Sequence, residues 1–223
     1  MDLATITAER TRLGIQLEES ELLAIVNSVH PPINLLVFGL GNDSVFWQAC
    51  NRGGRTVFLE DNSEWFQKIR NGAPDIEAYL LSYGTKRFEW WRLLRHSRKL
   101  LLDLPQEISG IAWDVVLVDG PNGHTETSPG RMCSIYTAAQ IIKPGGDVFL
   151  HDCSRKVEKI YSDIFLRKEN LISETLGRDI LRHYRMTLPP RTSVNFMLRY
   201  VTLLVSFLKK LKNFLSRKVS LYK

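Results

Sequence analysis

The sequence predicts an α/β fold, a mostly parallel Rossmann-like sheet with helices on both faces. Three observations carry this. Short β-branched or aromatic runs, "INLLVF" (33–38), "RTVFL" (55–59), "EAYLL" (77–81), "WDVVLV" (113–118) and "DVFL" (147–150), alternate with helical candidates near 43–52, 63–70 and 130–142. The first and fourth runs are nearly unbroken in hydrophobicity, as strands covered on both faces are. Within "LLVFGLGNDSVFW" (35–47) the first run breaks into Gly39-Leu40-Gly41 and then into helical spacing. That strand–turn–helix junction is where nucleotide-binding α/β domains meet their ligand.

Taken in order, residues 1–30 form an N-terminal helical segment, with Leu, Ile and Val at three- and four-residue steps, stopped by Pro31-Pro32. The α/β domain spans 31–198. Between its third and fourth strands lies a basic insert, "GTKRFEWWRLLRHSRKLLLDLPQEISG" (84–110). After the fifth strand come a helix over about 156–167 and the stretch "LISETLGRDILRHYRMTLPP", which suits an antiparallel pair closing the sheet. In residues 199–223, Leu204, Phe207, Leu208, Leu211, Phe214 and Leu215 recur at helical spacing with lysines between them. This reads as a basic amphipathic helix for an anionic membrane surface, docking on the domain or a partner chain being the alternative.

Seven Lys/Arg and no Asp/Glu fall in that tail, so of the net +6 the rest of the chain keeps only about −1. The basic balance therefore belongs to the tail, and no nucleic-acid partner is expected. Cys50, Cys133 and Cys153 are odd in number and lack C-x-x-C spacing, which speaks against a disulfide framework or zinc site and for a reducing compartment. With neither signal-peptide pattern nor spanning apolar run, the expected location is cytoplasmic, peripheral to the membrane through the tail.

Gly39 and Gly41 let the backbone turn sharply and approach a ligand closely. The third glycine of the dinucleotide fingerprint is missing, and Asp43 stands where a phosphate would be held. An acid there repels a pyrophosphate but suits an ammonium or sulfonium; S-adenosyl-L-methionine carries both and no phosphate. Asp43 or Ser44 is also placed to cap the next helix. Glu60 closes the second strand nineteen residues after Gly41, the position of a carboxylate that accepts hydrogen bonds from ribose hydroxyls. "WDVVLVDGPNG" and "IIKPGGDVFLHDC" deliver Asp119, and then His151 and Asp152, to the same edge of a parallel sheet. The Lys-Pro-Gly-Gly turn is common in S-adenosylmethionine-dependent methyltransferases.

"VFGLGNDSVFW", "GGRTVFLED", "WDVVLVDGPNG", "SPGRMCSIYTA" and "VFLHDCSRKVE" occur in that order. Over about 33–168 the chain thereby resembles the glucuronoxylan 4-O-methyltransferase family of plant polysaccharide biosynthesis. The resemblance implies a class I S-adenosylmethionine-dependent fold and methylation of a hydroxyl on glucuronic acid side chains. It implies that Gly39, Gly41, Asp43 and Glu60 hold the cofactor, with Ser44 and Asp119 as further candidates. Asp119, His151 and Asp152 would line the reaction centre.

Methyl transfer from a sulfonium is a direct displacement that needs alignment and removal of the hydroxyl proton. Asp119 and His151 are the favoured groups for that proton, with His124 and Asp152 as alternatives. Adjacent residues at a strand end point oppositely, so His151 and Asp152 need not share a face. Asp119 and Asp152 could instead bind a divalent metal ion. Arg131 offers a fork for the carboxylate of an acidic saccharide. Trp90 and Trp91, set among basic residues, offer aromatic faces for such a glycan, or else form the buried stripe of an amphipathic helix. Rival readings are a metal-dependent methyltransferase of a catechol-like or lipid acceptor, a nicotinamide dehydrogenase, and a non-catalytic membrane-held scaffold.

Overall fold

A computed structural model describes residues 2–192. The expected segment at 199–223 lies outside them. Helices α1 (Leu3–Leu13) and α2 (Glu19–Val26) lead into β1 (Asn34–Phe38), α3 (Ser44–Cys50), β2 (Arg55–Glu60), α4 (Ser63–Gly72) and β3 (Glu77–Leu80). The insert carries the short helices α5 (Trp90–Leu93) and α6 (Gln106–Ser109). Then come β4 (Trp113–Val118), α7 (Met132–Ile141), β5 (Ile142–Leu150), α8 (Lys156–Ser162), β6 (Leu171–Leu176) and β7 (Ile180–Arg185).

The seven strands are ordered β3-β2-β1-β4-β5-β7-β6. β3 to β5 are parallel, and β7 runs antiparallel to both β5 and β6. Strand order reverses between β1 and β4, where Leu36 sits opposite Val57 on one side and Val116 on the other. The carboxyl ends of β1 and β4 therefore flank the crevice in which open α/β sheets bind ligands. Leu35, Leu36 and Phe38 of β1 and Val116, Leu117 and Val118 of β4 are all fully buried, so their unbroken apolar runs follow from helices on both faces.

The N-terminal helical segment consists of two helices. Gly14 adopts φ 65°, a left-handed cap whose N–H bonds to the Arg10 carbonyl, and the chain restarts as α2 after an extended link. Ile6, Leu22 and Ile25 share one apolar core with Leu35 and Val37 of β1 and Trp47 of α3. The insert is not one amphipathic helix either: non-helical angles at His96 divide its 3₁₀ turns. Leu93 and Leu100 are buried, whereas Trp91 is 57% exposed. The predicted hairpin after α8 is present as β6 and β7. No described helix is long and apolar enough to cross a membrane.

Leu117 lies mid-strand in the centre of the sheet, fully buried. Replacing it with alanine is expected to lower the unfolding free energy by about 2–5 kcal/mol, read as a reduced denaturant midpoint at unchanged slope.

Candidate active site

The site begins where two loops touch. Gly39 takes φ 116°, a conformation that strains any residue with a Cβ. Opposite it, a Cβ on Gly120 would lie 3.0 Å from the Gly39 Cα. The turns after β1 and β4 therefore pass at backbone contact, which a side chain on Gly120 would crowd. Asp119 N–H bonds to the Phe38 carbonyl at 2.9 Å and Gly39 N–H to that of Leu59 at 2.7 Å, tying three strand ends together.

Glu60 faces this turn. One carboxylate oxygen accepts the Leu40 N–H and the other the Asn62 N–H, each at 2.9 Å. Trp65 Nε1–H donates to the Leu40 carbonyl, so the peptide between Gly39 and Gly41 is held from both sides. Burial pushes the Glu60 carboxyl above its usual range, and the two amides act against that shift. Asp43 accepts the Trp47 indole N–H at 2.8 Å. Burial first, and then the charge of Asp119, raise its carboxyl to about 6. Ser44 is fully buried with its Oγ accepting the Gly41 N–H at 2.9 Å, which places it inside the turn and not on its ligand face. Neither Asp43 nor Ser44 caps α3 with its side chain.

The second cluster lies across the crevice. Asp152 adopts φ 62°, and this left-handed bend brings it to the same side as His151. His151 Nδ1 is 3.0 Å from Asp119 Oδ1 and 3.6 Å from Asp152 Oδ1. Arg131 directs Nη2 at both acids, 2.9 Å from Asp119 Oδ1 and 2.6 Å from Asp152 Oδ2. The same nitrogen donates to the Asp119 carbonyl at 2.5 Å. Asp119 Oδ2 takes no hydrogen bond among the described residues, and its side chain is 30% exposed. Arg155 Nη2 reaches Asp152 at 2.9 Å and His124 Nδ1 at 3.0 Å.

These contacts change three expectations. Burial pulls the His151 pKa down, but the carboxylates of Asp119 and Glu21 outweigh it and hold it at about 9. At neutral pH the ring carries both protons and has no lone pair to act as a base. Burial likewise raises Asp119, yet Arg131 and His151 outweigh it and keep the carboxyl below its usual range. Arg131 is itself buried between two acids rather than offered to an acceptor as a free fork. As for a divalent ion, donor atoms of Asp119, His151 and Asp152 lie within 4.8 Å of one another. The Arg131 guanidinium already bridges the two carboxylates, so a divalent cation would have to share that space. The residues do not fit a metal centre, and no step is derived through one.

Trp90 is half-buried, its carbonyl accepting the Tyr161 hydroxyl at 2.7 Å and its ring lying 5.6 Å from Lys156 Nζ. The Arg87 and Phe88 N–H groups bond to the Ser128 and Glu126 carbonyls, so the insert leans on the loop that carries exposed His124. Sequence reasoning missed Glu21 and Arg155. Arg155 sits beside the His-Asp motif, whereas Glu21 is far away in sequence and only its burial marks it.

The strand order, the glycine turn at β1 and the acid ending β2 define the Rossmann-like methyltransferase fold. The N-methyltransferase NodS of Bradyrhizobium japonicum WM9 shares it, with a TM-score of 0.50 and 14% identity over 81% of this chain and 97% of that one. The chain belongs to the IRX15/IRX15L/GXM family, whose model matches residues 18–101 and 96–184. It is 37% identical to Glucuronoxylan 4-O-methyltransferase 1 of Arabidopsis thaliana, over 81% of this chain and 69% of that protein. It is 34% identical to Protein IRREGULAR XYLEM 15 of the same plant, over 80% and 62%. The chain thus spans less than two-thirds of the latter's length.

The folded-state pKa of His151 lies above its unfolded value, so its contribution to stability is full below about 6.5 and is lost as pH rises through about 9. Urea unfolding from pH 7 to 10 should show the gap between wild type and His151→Gln, on the order of a few kcal/mol at pH 7, closing with rising pH. A constant gap would contradict the assignment.

Proposed function

We propose that the chain is an S-adenosylmethionine-dependent O-methyltransferase acting on a hydroxyl of an acidic polysaccharide of the glucuronic acid type. The observation that carries this is Glu60 turned onto the Gly39–Gly41 turn by the Leu40 N–H. Each carboxylate oxygen retains a lone pair for a ribose hydroxyl. Asp43, whose partner is a neutral indole, makes its side of the crevice acidic, which suits an ammonium and a sulfonium and opposes a pyrophosphate. These features favour S-adenosylmethionine over a nicotinamide dinucleotide. Family membership and the activity for which the Arabidopsis methyltransferase is named support the acceptor class.

When bound, the cofactor supplies an electrophilic methyl group. Glu60 and the glycine turn would hold its nucleoside end, and Asp43 would lie toward its charged end. Asp119 offers Oδ2 to the acceptor hydroxyl, while Oδ1 is held by Arg131 and His151. Its lowered pKa does not disqualify it. A hydroxyl whose oxygen takes on a methyl group, the carbon–sulfur bond of the donor breaking as it does so, would become strongly acidic, and a weak base in hydrogen-bond reach can accept its proton. His151, protonated, orients Asp119 instead of competing for that proton. Arg131 lies between Asp119 and Asp152 and sets one positive charge against both carboxylates. Arg155, and Lys156 beside Trp90, supply positive charge and an aromatic face on the side nearer solvent.

Calorimetry should detect S-adenosylhomocysteine and not NAD. Affinity for S-adenosylmethionine should fall as pH drops through about 6, where Asp43 takes up a proton, and Asp43→Asn should abolish that pH dependence while weakening binding. Binding of NAD alone would overturn the reading. Asp119→Asn should lower kcat by about 10²- to 10⁴-fold with little change in S-adenosylhomocysteine affinity, measured with a glucuronoxylan acceptor. A chelator should leave the wild-type rate unchanged.

A further inference from the structure

Helix α2 forms a wall of the reaction centre. Glu21, in its first turn, is fully buried, a costly position for a carboxylate left without partners. Its Oε2 accepts the Glu18 N–H at 2.8 Å. Its Oε1 has no hydrogen-bond partner among the described residues, and neither has Nε2 of His151. These two atoms lie 3.1 Å apart, so each supplies the opposite charge that the other lacks. The second ring nitrogen, Nδ1, is 3.0 Å from Asp119 Oδ1. Carboxylates from α2 and from the end of β4 thus grip the imidazole at opposite nitrogens. Asp152, Arg131 and Asp179 of the β6–β7 turn are the other charged groups that act on this ring.

A third element joins them. A Cβ on Gly177, in the β6–β7 turn, would overlap the Glu21 carboxylate and sit 2.7 Å from its Cγ. Ser20 Oγ donates to the neighbouring Leu176 carbonyl at 3.2 Å. The turn is moulded to the acid, and its glycine is the space the acid fills.

We infer that Glu21 is a positioning residue of the reaction centre. Backed by the β6–β7 turn, it fixes the His151 ring from the side opposite Asp119, and so fixes the direction in which Asp119 presents Oδ2. A ring held at one nitrogen can pivot about it; held at two, it cannot. This rests on the methyl-transfer reading above.

Two variants attack the contact differently. Glu21→Gln keeps the shape but removes the negative charge that faces the His151 ring. Gly177→Ala leaves Glu21 chemically intact and displaces its carboxylate; Gly177 does not use the left-handed region, so the alanine backbone is unstrained. Both should lower kcat by on the order of 10²-fold, with S-adenosylhomocysteine affinity and acceptor KM within about twofold of wild type. In nitrogen-15 histidine spectra of the full chain, the slowly exchanging Nε2–H signal of His151, assigned by its loss in His151→Asn, should disappear in both. Wild-type kcat in Gly177→Ala overturns the inference. So does a loss of kcat matched by equal losses of cofactor affinity and Tm, which marks a role in folding alone. Should the wild-type protein neither bind S-adenosylhomocysteine nor methylate glucuronoxylan, the functional reading fails, and the ring signal alone then decides. Persistence of that signal in Gly177→Ala overturns the positioning role, and its loss supports it.

Discussion

The contact of Gly39 with Gly120 is the constraint on which the site depends. Neither turn carries a side chain there, so the ends of β1 and β4 approach to backbone distance at the point where strand order reverses. That approach brings Asp43, in the first half of the sheet, within electrostatic reach of Asp119 in the second. A methyl group added at Gly120 would push against the Gly39 backbone rather than a yielding side chain, and at Gly39 the dihedral strains any residue with a Cβ. One crevice exists because two residues have nothing to put in it.

Crowding so many carboxylates demands compensation, and the two sides obtain it differently. On the β1–β2 side the partners are neutral donors: peptide N–H groups for Glu60 and an indole for Asp43. Those acids keep raised pKa values and unspent capacity to receive positive charge. On the β4–β5 side the partners are cations, Arg131 and protonated His151, and Asp119 is driven the other way. On the proposed reading the asymmetry would separate the two tasks of a methyl transfer. A cationic cofactor would be drawn to acids lacking counter-ions, and the acceptor hydroxyl would meet an acid already ionised.

How much of this was legible in the sequence follows from which interactions are local. The strands of the central sheet could be read because burial on both faces leaves continuous apolar runs, and the β1 turn because glycines mark it within a few residues. Glu60 could be placed at the right edge by its spacing from Gly41. The partners of Arg131 could not, because a guanidinium in sequence shows its charge but not its counter-ion. The shared face of His151 and Asp152 depends on one left-handed residue without a glycine to announce it. Glu21 belongs to a helix over a hundred residues before the His-Asp pair, and its importance appears only once that helix folds onto the end of the sheet. The break at Gly14 was visible as a residue, but a lone glycine in a helical pattern reads as tolerated until its dihedral is known.

The central claim is that the turn after β1 and the carboxylate ending β2 form one adenosyl site opening toward Asp119. A crystal structure of the full chain with S-adenosylhomocysteine tests it most directly. The account predicts both ribose hydroxyls on Glu60, the Gly39–Gly41 backbone against the nucleoside, and the sulfur facing the crevice between Asp43 and Asp119. A ligand bound elsewhere, or a Glu60 side chain turned away from Leu40 with the ribose unsupported, would contradict it.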